Sequence, residues 1–427
     1  MPLLICTVGG SHQPIEKAIK TINPSKVIFV CSNDDKETGI KGSYNSVSGS
    51  GNVNKSRANI KEFDLPNLQK LTQLDEQQTV IITVPPDDLS ACYMQIQKEI
   101  QHQDSSQLVA DYTGGTKTMS AALAMIAADY NIQLNLIVGT RADHIKVRDG
   151  SQDSVTLDIQ ELRDQRRLKE ASQQWQSYAY QRSKVMSEEV KLTINNKANR
   201  NTLIQLSRAF SAWDCFDHKL AQDLLNDHQK KIGRYFSGYL TIIKHLVDAK
   251  SEQRGLKFTP YLIVDVWNNA QRKASQGYYD DAIARVYRVL EWTAQWILLK
   301  EKNWYTGDLP EQQFPSEINI TLNRDGKRQA SLYNAWQLVQ HYGDRESAKF
   351  ARCYLDSMMT FMSIRNNSIL AHGYTPVDST QWFKLQDWMT DHLIPLLKTL
   401  AEHSSIGVKI DERKMQLPTL YPKELFE

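Results

Sequence analysis

The sequence predicts an α/β domain at the N terminus, followed by a region built only of helices. Five continuous apolar runs of strand length occur in the first 150 residues, with helical patterns between them. Strands that alternate with helices indicate a parallel sheet covered by helices on both faces. From Asp158 onwards such runs disappear, and charged, Gln-rich helical sequence takes their place. The predicted fold class is therefore a Rossmann-like α/β domain plus an all-α region.

Each predicted strand is a short run of apolar, often β-branched residues. The runs are residues 3–8, 26–31, 79–84, 108–112 and 134–139. The clearest helices between them are predicted at residues 89–101 and 119–130. Residues 38–55 interrupt the alternation because they are rich in Gly, Ser and Asn and hold almost no large apolar side chains. We expect a mobile surface insertion there, with a lid over a ligand as the alternative.

The helical region divides into two parts at a loop signal near residues 255–260. The second part contains Ile283, Val286, Leu290 and Ile297 at the spacing of an amphipathic helix. The predicted domains are a Rossmann-like domain, a helical connecting region and a C-terminal helical domain, at residues 1–150, 151–260 and 261–427.

Composition excludes several classes of protein. The 427-residue chain holds 41% hydrophobic and 23% charged residues, which is typical of globular proteins. Its 51 basic and 49 acidic residues give a net charge of +2, which excludes a protein held on nucleic acid mainly by net charge. The longest apolar run, residues 121–128, is far shorter than the ~20 residues of a membrane span, so no membrane partner is expected. The five cysteines stand singly, which predicts no zinc or other metal site, no disulfide framework and a reducing, cytoplasmic location.

The segment DYTGGTKTMSAALAMIAADY (residues 111–130) carries a loop suited to bind phosphate. A strand ends there, a Gly-Gly turn follows and a helix starts, so unpaired N–H groups and the positive end of the helix dipole meet at the carboxyl edge of the sheet. Glycines let backbone amides approach a ligand closely. The candidate ligand residues are Thr113, Gly114, Gly115, Thr116, Lys117, Thr118 and Ser120. The segment does not fit the Walker A pattern, and a tight turn with capping threonines is the alternative.

A second loop, TVGGSHQP (residues 7–14), follows the first predicted strand. It has no third glycine, so it does not form a GxGxxG dinucleotide fingerprint. By itself it is compatible with a plain turn or with a site, and Ser11 is a candidate cap of the next helix. Together with the first loop it predicts a concave site shared by two strand ends, with the candidate residues Thr7, Gly9, Gly10 and Ser11.

The helical region contains an arginine and a histidine seven positions apart, Arg365 and His372, in FMSIRNNSILAHGYTP (residues 361–376). Two helical turns would place both on one face, and the Asn-Asn pair after the arginine favours a break between them. Arginine supplies a fixed positive charge for a phosphate, and histidine transfers protons near neutral pH. The pair suits RNA transesterification, in which the neighbouring 2′-OH is the nucleophile and no metal is needed. Because such a pair also occurs by chance, the surrounding motifs must decide whether it is a catalytic site.

Another helical segment, YDDAIARVYRVLE (residues 279–291), places Arg285 and Arg288 one turn apart, with Glu291 another turn on. A salt-bridge ladder on the helix surface is predicted, with support of the motif helix or contact with RNA phosphates as the alternative. The nine tryptophans are expected in the core and not as platforms for base stacking.

Taken together, DYTGGTKTMSAAL, YDDAIARVYRVLE and RNNSILAHG resemble the CARF–HEPN ribonucleases of type III CRISPR systems. CARF denotes a Rossmann-type sensor domain, and HEPN a helical nuclease domain with an R-x(4–6)-H signature. The six residues between Arg365 and His372 are at the long end of that range, and Asn366 occupies the polar position common after the arginine. The resemblance identifies residues 1–150 as the CARF domain and 261–427 as the HEPN domain, and it does not cover residues 151–260.

The resemblance implies a homodimer that binds a cyclic oligoadenylate at the two CARF loops and then cleaves single-stranded RNA at a composite HEPN site. The loop residues named above would bind this activator, and Arg365, Asn366 and His372 would be catalytic, with no cofactor. A CARF sensor that binds or cleaves the ring without RNase output is the first alternative. A metabolic enzyme that binds an ordinary nucleotide in a Rossmann-like cleft is the second.

Overall fold

A computed structural model describes residues 2–34, 39, 41–49, 53, 66–141, 147–157, 159–251, 255–403, 409–422 and 425. The chain divides into two compact units, Met1–Arg163 and Asp164–Glu427. The division differs from the predicted boundary at 150 because the last strand of the sheet, Val147–Leu157, continues through that position. The predicted boundary at 260 lies inside a helix, Gly255–Ser275, and the residues on either side of it share one core.

The N-terminal unit is built on a six-stranded sheet. Its strands are β1 (Leu3–Thr7), β2 (Lys26–Ser32), β3 (Thr79–Val84), β4 (Leu108–Asp111), β5 (Gln133–Arg141) and β6 (Val147–Leu157). The spatial order is β3-β2-β1-β4-β5-β6. The first five strands pair in parallel, which confirms the predicted strands and the Rossmann-like class. The sixth strand is antiparallel to β5 and was not predicted, because its sequence VRDGSQDSVTL has no continuous apolar run.

Helices cover both faces of this sheet, as predicted. They are α1 (Gln13–Ile22), α2 (Leu68–Leu71), α3 (Leu89–Ile100) and α4 (Lys117–Asp129). One core lies between the sheet and α3 with α4, and a second lies between the sheet and α1. Within the predicted insertion, the described residues 41–49 include a 3₁₀ turn at Ser43–Ser46, and Val47 is fully buried in the second core. This part of the insertion is therefore anchored to the domain, which differs from the free surface loop we expected.

The C-terminal unit is helical, as predicted, apart from one short hairpin. Its helices are α5 (Gln160–Gln173), α6 (Tyr180–Glu188), α7 (Lys197–Asp214), α8 (His218–Asp227), α9 (Gln229–Asp248), α10 (Gly255–Ser275), α11 (Tyr279–Lys302), α12 (Leu332–Tyr342), α13 (Arg345–Asn366), α14 (Ser379–Trp388), α15 (Ile394–His403) and α16 (Glu412–Met415). The hairpin consists of β7 (Thr321–Leu322) and β8 (Arg328–Gln329). Among the described segments, none forms a helix long and apolar enough to cross a membrane.

Buried polar contacts join the early helices of this unit to α10. Asp265 accepts hydrogen bonds from Trp213 Nε1 and from His218 Nε2, each at 2.9 Å. The fully buried guanidinium of Arg272 donates through Nε to Asp214 at 2.7 Å. Removing one partner of a buried ion pair typically destabilises a protein by about 3–5 kcal/mol, because it leaves a charge without compensation. These contacts are the physical reason that residues 164–260 do not form a domain of their own.

Candidate functional site

The two predicted loops meet where β1 and β4, neighbouring parallel strands, end at the same edge of the sheet. We call residues 7–11 and 113–120 the loop pair. Thr7 donates its hydroxyl proton to the carbonyl oxygen of Gly114 at 2.6 Å, and Ser120 donates to the same oxygen at 2.7 Å. The strand order changes direction between β1 and β4, which is the usual ligand position in open α/β sheets. The loop pair therefore lies at the expected place and is joined by its own side chains.

The glycines of the loop pair allow the two backbones to touch. A Cβ atom on Gly114 would lie 2.3 Å from the carbonyl oxygen of Thr7, and one on Gly9 would lie 2.7 Å from the amide nitrogen of Gly115. Gly115 also has a φ of +80°, a conformation that side chains with a Cβ rarely adopt. Gly10 has open space around its Cβ position. Close packing of one loop on the other explains three of the four glycines without a ligand.

Two threonine hydroxyls of the second loop are also held within the fold. Thr113 Oγ1 accepts the N–H of Ile137 at 2.8 Å. Thr116 caps α4 by accepting the N–H of Met119 at 3.2 Å, and it donates to the carbonyl of Pro86 at 2.5 Å. Hydroxyls that we expected to face a ligand thus hold the loops in place, in the residues Thr7, Thr113, Thr116 and Ser120.

A smaller set of groups stays available for an anion. Lys117 is exposed in the first turn of α4 and has no ion-pair partner within the described part of the chain. The backbone N–H groups of Lys117 and Thr118 precede the first intrahelical bond, so they point out of the helix end. Ser11 is exposed, but it does not cap α1, which begins after His12 without a side-chain cap. Lys117, Thr118, Ser11 and the backbone at Gly10 are the groups that an incoming phosphate could contact.

A buried carboxyl group that the sequence analysis missed fixes the start of the second loop. Asp111 accepts the N–H of Thr113 at 3.0 Å and the Nδ2–H of Asn135 at 2.5 Å. Asn135 in turn accepts the hydroxyl proton of Ser154 at 2.8 Å. Burial raises the pKa of Asp111 above its ordinary value, and the hydrogen bonds from Thr113 and Asn135 oppose that rise. An asparagine in the apolar strand LNLIVG was the sequence signal for this network.

The R-x(6)-H segment lies at the end of α13, which stops at Asn366 as the Asn-Asn pair predicts. We call residues 365–373 the motif turn. The chain folds back on the helix end, because the N–H of His372 donates to the carbonyl of Asn366 at 3.2 Å. Gly373 donates to Ser368 at 3.1 Å, and a Cβ on Gly373 would lie 1.9 Å from the carbonyl oxygen of Asn367. Glycine is therefore required for the backbone that follows the histidine.

Two of the three predicted catalytic side chains contact each other. Arg365 is half-buried, and its Nη1 donates to Asn366 Oδ1 at 3.1 Å. Its guanidinium carbon lies 4.5 Å from the centre of the Tyr287 ring, and its buried Nε has no partner among the described residues. His372 is exposed, and its side chain makes no hydrogen bond, ion pair or ring contact with the described residues. Asn366 thus holds the guanidinium, while His372 is free to meet a substrate.

Tyr287, on α11, was missed by the sequence analysis. Burial raises the pKa of its hydroxyl, and the nearby negative charge of Glu291 raises the pKa further. Glu291 also pairs with Arg288 at 2.9 Å, and Arg285 pairs with Asp281 at 3.0 Å, which confirms the predicted salt-bridge ladder. The aromatic face below Arg365 supports a cation–π contact, worth about 0.5–2 kcal/mol. An aromatic residue between two ladder arginines was the only available sequence signal.

A second contact from α11 holds the chain after the histidine. Asp280 accepts the N–H of Val377 through Oδ2 at 3.1 Å, while its buried Oδ1 has no partner within the described segments. Helix α11 therefore contacts the motif turn through Tyr287 under the arginine, and it holds the chain four residues after the turn through Asp280. No cluster of three His, Cys, Asp or Glu side chains that could hold a metal ion occurs in the part of the chain that the structure describes.

Residues 251–394 match a family model described as the Csm6 HEPN domain. This part of the chain is similar to the HEPN domain of Csm6. The matched residues run from just before α10 to the start of α15, and they include Arg365, Asn366 and His372. The resemblance to CARF–HEPN proteins is thereby confirmed over the HEPN part of the chain.

Two solved structures are similar to the chain, each with low sequence identity and a low TM-score. Enterococcus italicus Csm6 bound to cyclic hexa-2′-fluoro-hexa-dAMP is 12% identical, with 96% of this chain and 95% of that chain covered and a TM-score of 0.49. Can2 from Sulfobacillus thermosulfidooxidans, in complex with cyclic tetra-adenylate, is also 12% identical, with 54% and 68% covered and a TM-score of 0.24. These scores are too low to assign this chain the ligand of either protein. No curated protein matches the chain.

Proposed function

We propose that this chain is a CRISPR-associated endoribonuclease of the CARF–HEPN type, which acts as a homodimer in the cytoplasm. It cleaves single-stranded RNA at the motif turn and is switched on by a cyclic oligoadenylate at the loop pair. The observation that carries the proposal is the position of Arg365 and His372 on an accessible helix end inside the residues that match the Csm6 HEPN domain.

The chemistry follows from the groups at the motif turn. The 2′-OH of the RNA attacks the adjacent phosphorus, the bond to the 5′-oxygen breaks, and a 2′,3′-cyclic phosphate and a 5′-OH form. Arg365 stabilises the charge that develops on the phosphate oxygens, and Asn366 orients it through the 3.1 Å hydrogen bond. His372 transfers a proton, either from the 2′-OH or to the 5′-oxygen.

One histidine serves only one of these two proton transfers in a single step. Two copies of the motif turn, brought together by a two-fold axis, would supply one histidine for each transfer and a second arginine for the phosphate. This requirement supports a composite site in a homodimer. Because the nucleophile belongs to the RNA itself, the reaction proceeds without a bound metal or cofactor.

The activator assignment rests on the groups of the loop pair that stay available. Lys117 supplies a compact positive charge, and the first N–H groups of α4 favour an anion. A two-fold axis would repeat these groups and so present equivalent phosphate contacts to a ring of identical nucleotides. The glycine packing between the loops keeps their position fixed before the ligand binds.

The test is an RNA cleavage assay with and without cyclic tetra- and hexaadenylate, with NAD and ATP as controls. We expect cleavage of single-stranded RNA that rises at least tenfold with one of the cyclic compounds and does not respond to the controls. Binding of a cyclic compound without any cleavage would instead support a sensor without RNase output. A response to NAD or ATP alone would support an ordinary nucleotide-binding enzyme.

A further inference from the structure

A second concave feature lies along α11, one turn beyond Tyr287. This pocket has a volume of about 190 Å³ and opens between α11 and the start of α12. Its lining includes Arg288, Trp292, Gln295, Thr306 and Ser331. The site described above uses none of these side chains directly, so the pocket needs its own explanation.

Trp292 differs from most tryptophans of the chain. Six of the nine are fully buried, as the sequence predicts, whereas Trp292 is half-buried at the pocket. The guanidinium carbon of Arg288 lies 5.8 Å from the centre of the Trp292 ring, and the Arg288 side chain is 56% exposed. A half-buried indole beside an exposed cation is a surface on which proteins bind single-stranded nucleic acids, by base stacking and phosphate contact.

The other polar groups of the pocket are already paired. Gln295 Oε1 accepts the N–H of Thr306 at 2.8 Å, and its Nε2 donates to the carbonyl of Trp304 at 3.2 Å. Ser331 caps α12 by accepting the N–H of Asn334 at 3.2 Å. The floor of the pocket is therefore rigid and offers few free groups to read a base edge. It favours stacking over base-specific hydrogen bonds.

The pocket is connected to the motif turn through one carboxylate. Glu291, which lines the pocket, is one helical turn from Tyr287, on which Arg365 lies, and it pairs with Arg288 at 2.9 Å. Trp292 is five residues from Tyr287, or roughly 7.5 Å along the helix axis. Five residues also turn roughly 140° around the helix, so an RNA strand with its scissile phosphate at Arg365 would follow the side of α11 to reach the pocket.

We propose that this pocket binds one base of the RNA substrate beside the scissile phosphate, with Trp292 as the stacking surface and Arg288 as the contact to the adjacent phosphate. The inference rests on the proposed function, because it needs RNA at the motif turn. The pair between Arg288 and Glu291 does not oppose it, because an exposed ion pair is worth only about 0–1 kcal/mol and yields readily to a phosphate.

The experiment measures RNA binding and RNA cleavage separately. Binding of a labelled single-stranded RNA is followed by fluorescence anisotropy in His372→Ala protein, where the RNA stays intact. The variants Trp292→Leu, Trp292→Phe and Arg288→Gln are added to this background and, for cleavage, to the wild-type protein. Arg345→Gln is the matched control, because Arg345 is exposed at the first residue of α13, about 30 Å along that helix from Arg365.

Trp292→Leu should weaken RNA binding and raise KM by roughly 10- to 100-fold, since stacking on an aromatic side chain is worth about 1–3 kcal/mol per base. Trp292→Phe should recover part of the loss. Arg288→Gln should lower the slope of log affinity against log salt by about 0.7, the value for one phosphate contact with a single strand. Arg345→Gln should change none of these quantities.

Wild-type RNA affinity and KM in Trp292→Leu and Arg288→Gln would overturn the pocket and leave the proposed function standing. Should Trp292→Leu fail to fold, Trp292→Phe and Arg288→Gln decide the question in the same way. A wild-type protein that binds RNA through Trp292 but cleaves none would contradict the RNase assignment and support the pocket. Failure of the pocket proposal and failure of the RNase proposal therefore give different results.

Discussion

In the loop pair, the hydroxyls of Thr7 and Ser120 both donate to the carbonyl of Gly114, so the predicted ligand groups serve the fold. In the motif turn, the side chain of His372 is exposed and has no described contact, so the predicted catalytic group is free. Both regions were identified from short polar motifs in the sequence. The predicted hydroxyls of the first region are thus used by the fold, whereas the predicted histidine of the second is not.

The difference shows how a motif divides between structural and chemical roles. A loop that must approach an anion with its backbone needs its own side chains to hold that backbone still. A turn that acts through side chains needs only its backbone to be fixed, which Gly373 and Asn366 provide. Substitutions in the loop pair should therefore affect stability more often, and those in the motif turn should affect rate.

A large effect on stability is expected at Gly115. Gly115→Ala combines a φ of +80° with a Cβ only 2.8 Å from the Cβ of Thr7. The conformation costs about 1–2 kcal/mol and the overlap about 1–3 kcal/mol, so the free energy of unfolding should fall by about 3 kcal/mol. Gly10→Ala, with open space at its Cβ position, is the control and should be neutral. Equal stability of the two variants in urea unfolding would contradict the packing role.

The next prediction distinguishes residues of the loop pair that contact the ligand from residues that hold the two loops in place. Lys117→Gln should weaken binding of the cyclic activator by roughly 10- to 100-fold, since a charge-assisted hydrogen bond contributes about 1.5–3 kcal/mol, and should leave stability unchanged. Thr7→Val should leave the affinity for the activator unchanged and reduce the free energy of unfolding by about 1 kcal/mol. Calorimetric titration and thermal unfolding measure the two quantities. A strong loss of affinity in Thr7→Val with wild-type affinity in Lys117→Gln would reverse our assignment.

A smaller effect is expected beneath the motif arginine. Tyr287→Leu removes the ring under Arg365, and the loss of a cation–π contact should lower kcat by up to about tenfold with little change in KM. Tyr287→Phe keeps the ring and should retain most of the rate. Because Phe keeps the ring but not the hydroxyl, equal losses in both variants would assign the effect to the hydroxyl of Tyr287 instead of its ring.

The smallest effect concerns pH and Asp111. Burial raises the pKa of this carboxyl in the folded protein, so the folded state keeps the proton at pH values where the unfolded chain has released it. The unfolding free energy of the wild type relative to Asp111→Asn should therefore be highest at low pH. It should fall as the pH rises from the ordinary pKa of 3.8 through the raised one. A difference that stays constant or grows with pH, measured in urea between pH 4 and 7, would contradict the raised pKa.

The sequence predicted the regular parts of the molecule well, because their signals are local. Apolar runs indicated five of the six strands of the N-terminal sheet, and the Asn-Asn pair indicated where α13 ends. The polar strand β6 was missed, because an edge strand is held by backbone pairing with β5 and needs no apolar run. Because β6 continues to Leu157, the division between the two compact units falls after Arg163 and not near residue 150.

The sequence predicted the motif residues of the site, but it did not predict the residues that support them. Tyr287 contacts Arg365 and Asp280 contacts Val377 from about 80 and 100 residues away along the chain, so no spacing rule connects them to the motif. Asp111 and Asn135 meet only because β4 and β5 are neighbours in the sheet. Contacts of this kind depend on the tertiary fold and carry no local signature.

The central claim, that Arg365 and His372 catalyse metal-independent cleavage by the 2′-OH of the RNA, is tested most directly by the chemical ends of the products. RNA is incubated with the activator and excess EDTA, and the fragments from wild type, Arg365→Ala and His372→Ala are compared. The wild type should leave 2′,3′-cyclic phosphate or 3′-phosphate ends, and each variant should be at least about 10²-fold slower. Products with 3′-OH and 5′-phosphate ends that form only with a divalent metal, or a wild-type rate in His372→Ala, would contradict the claim.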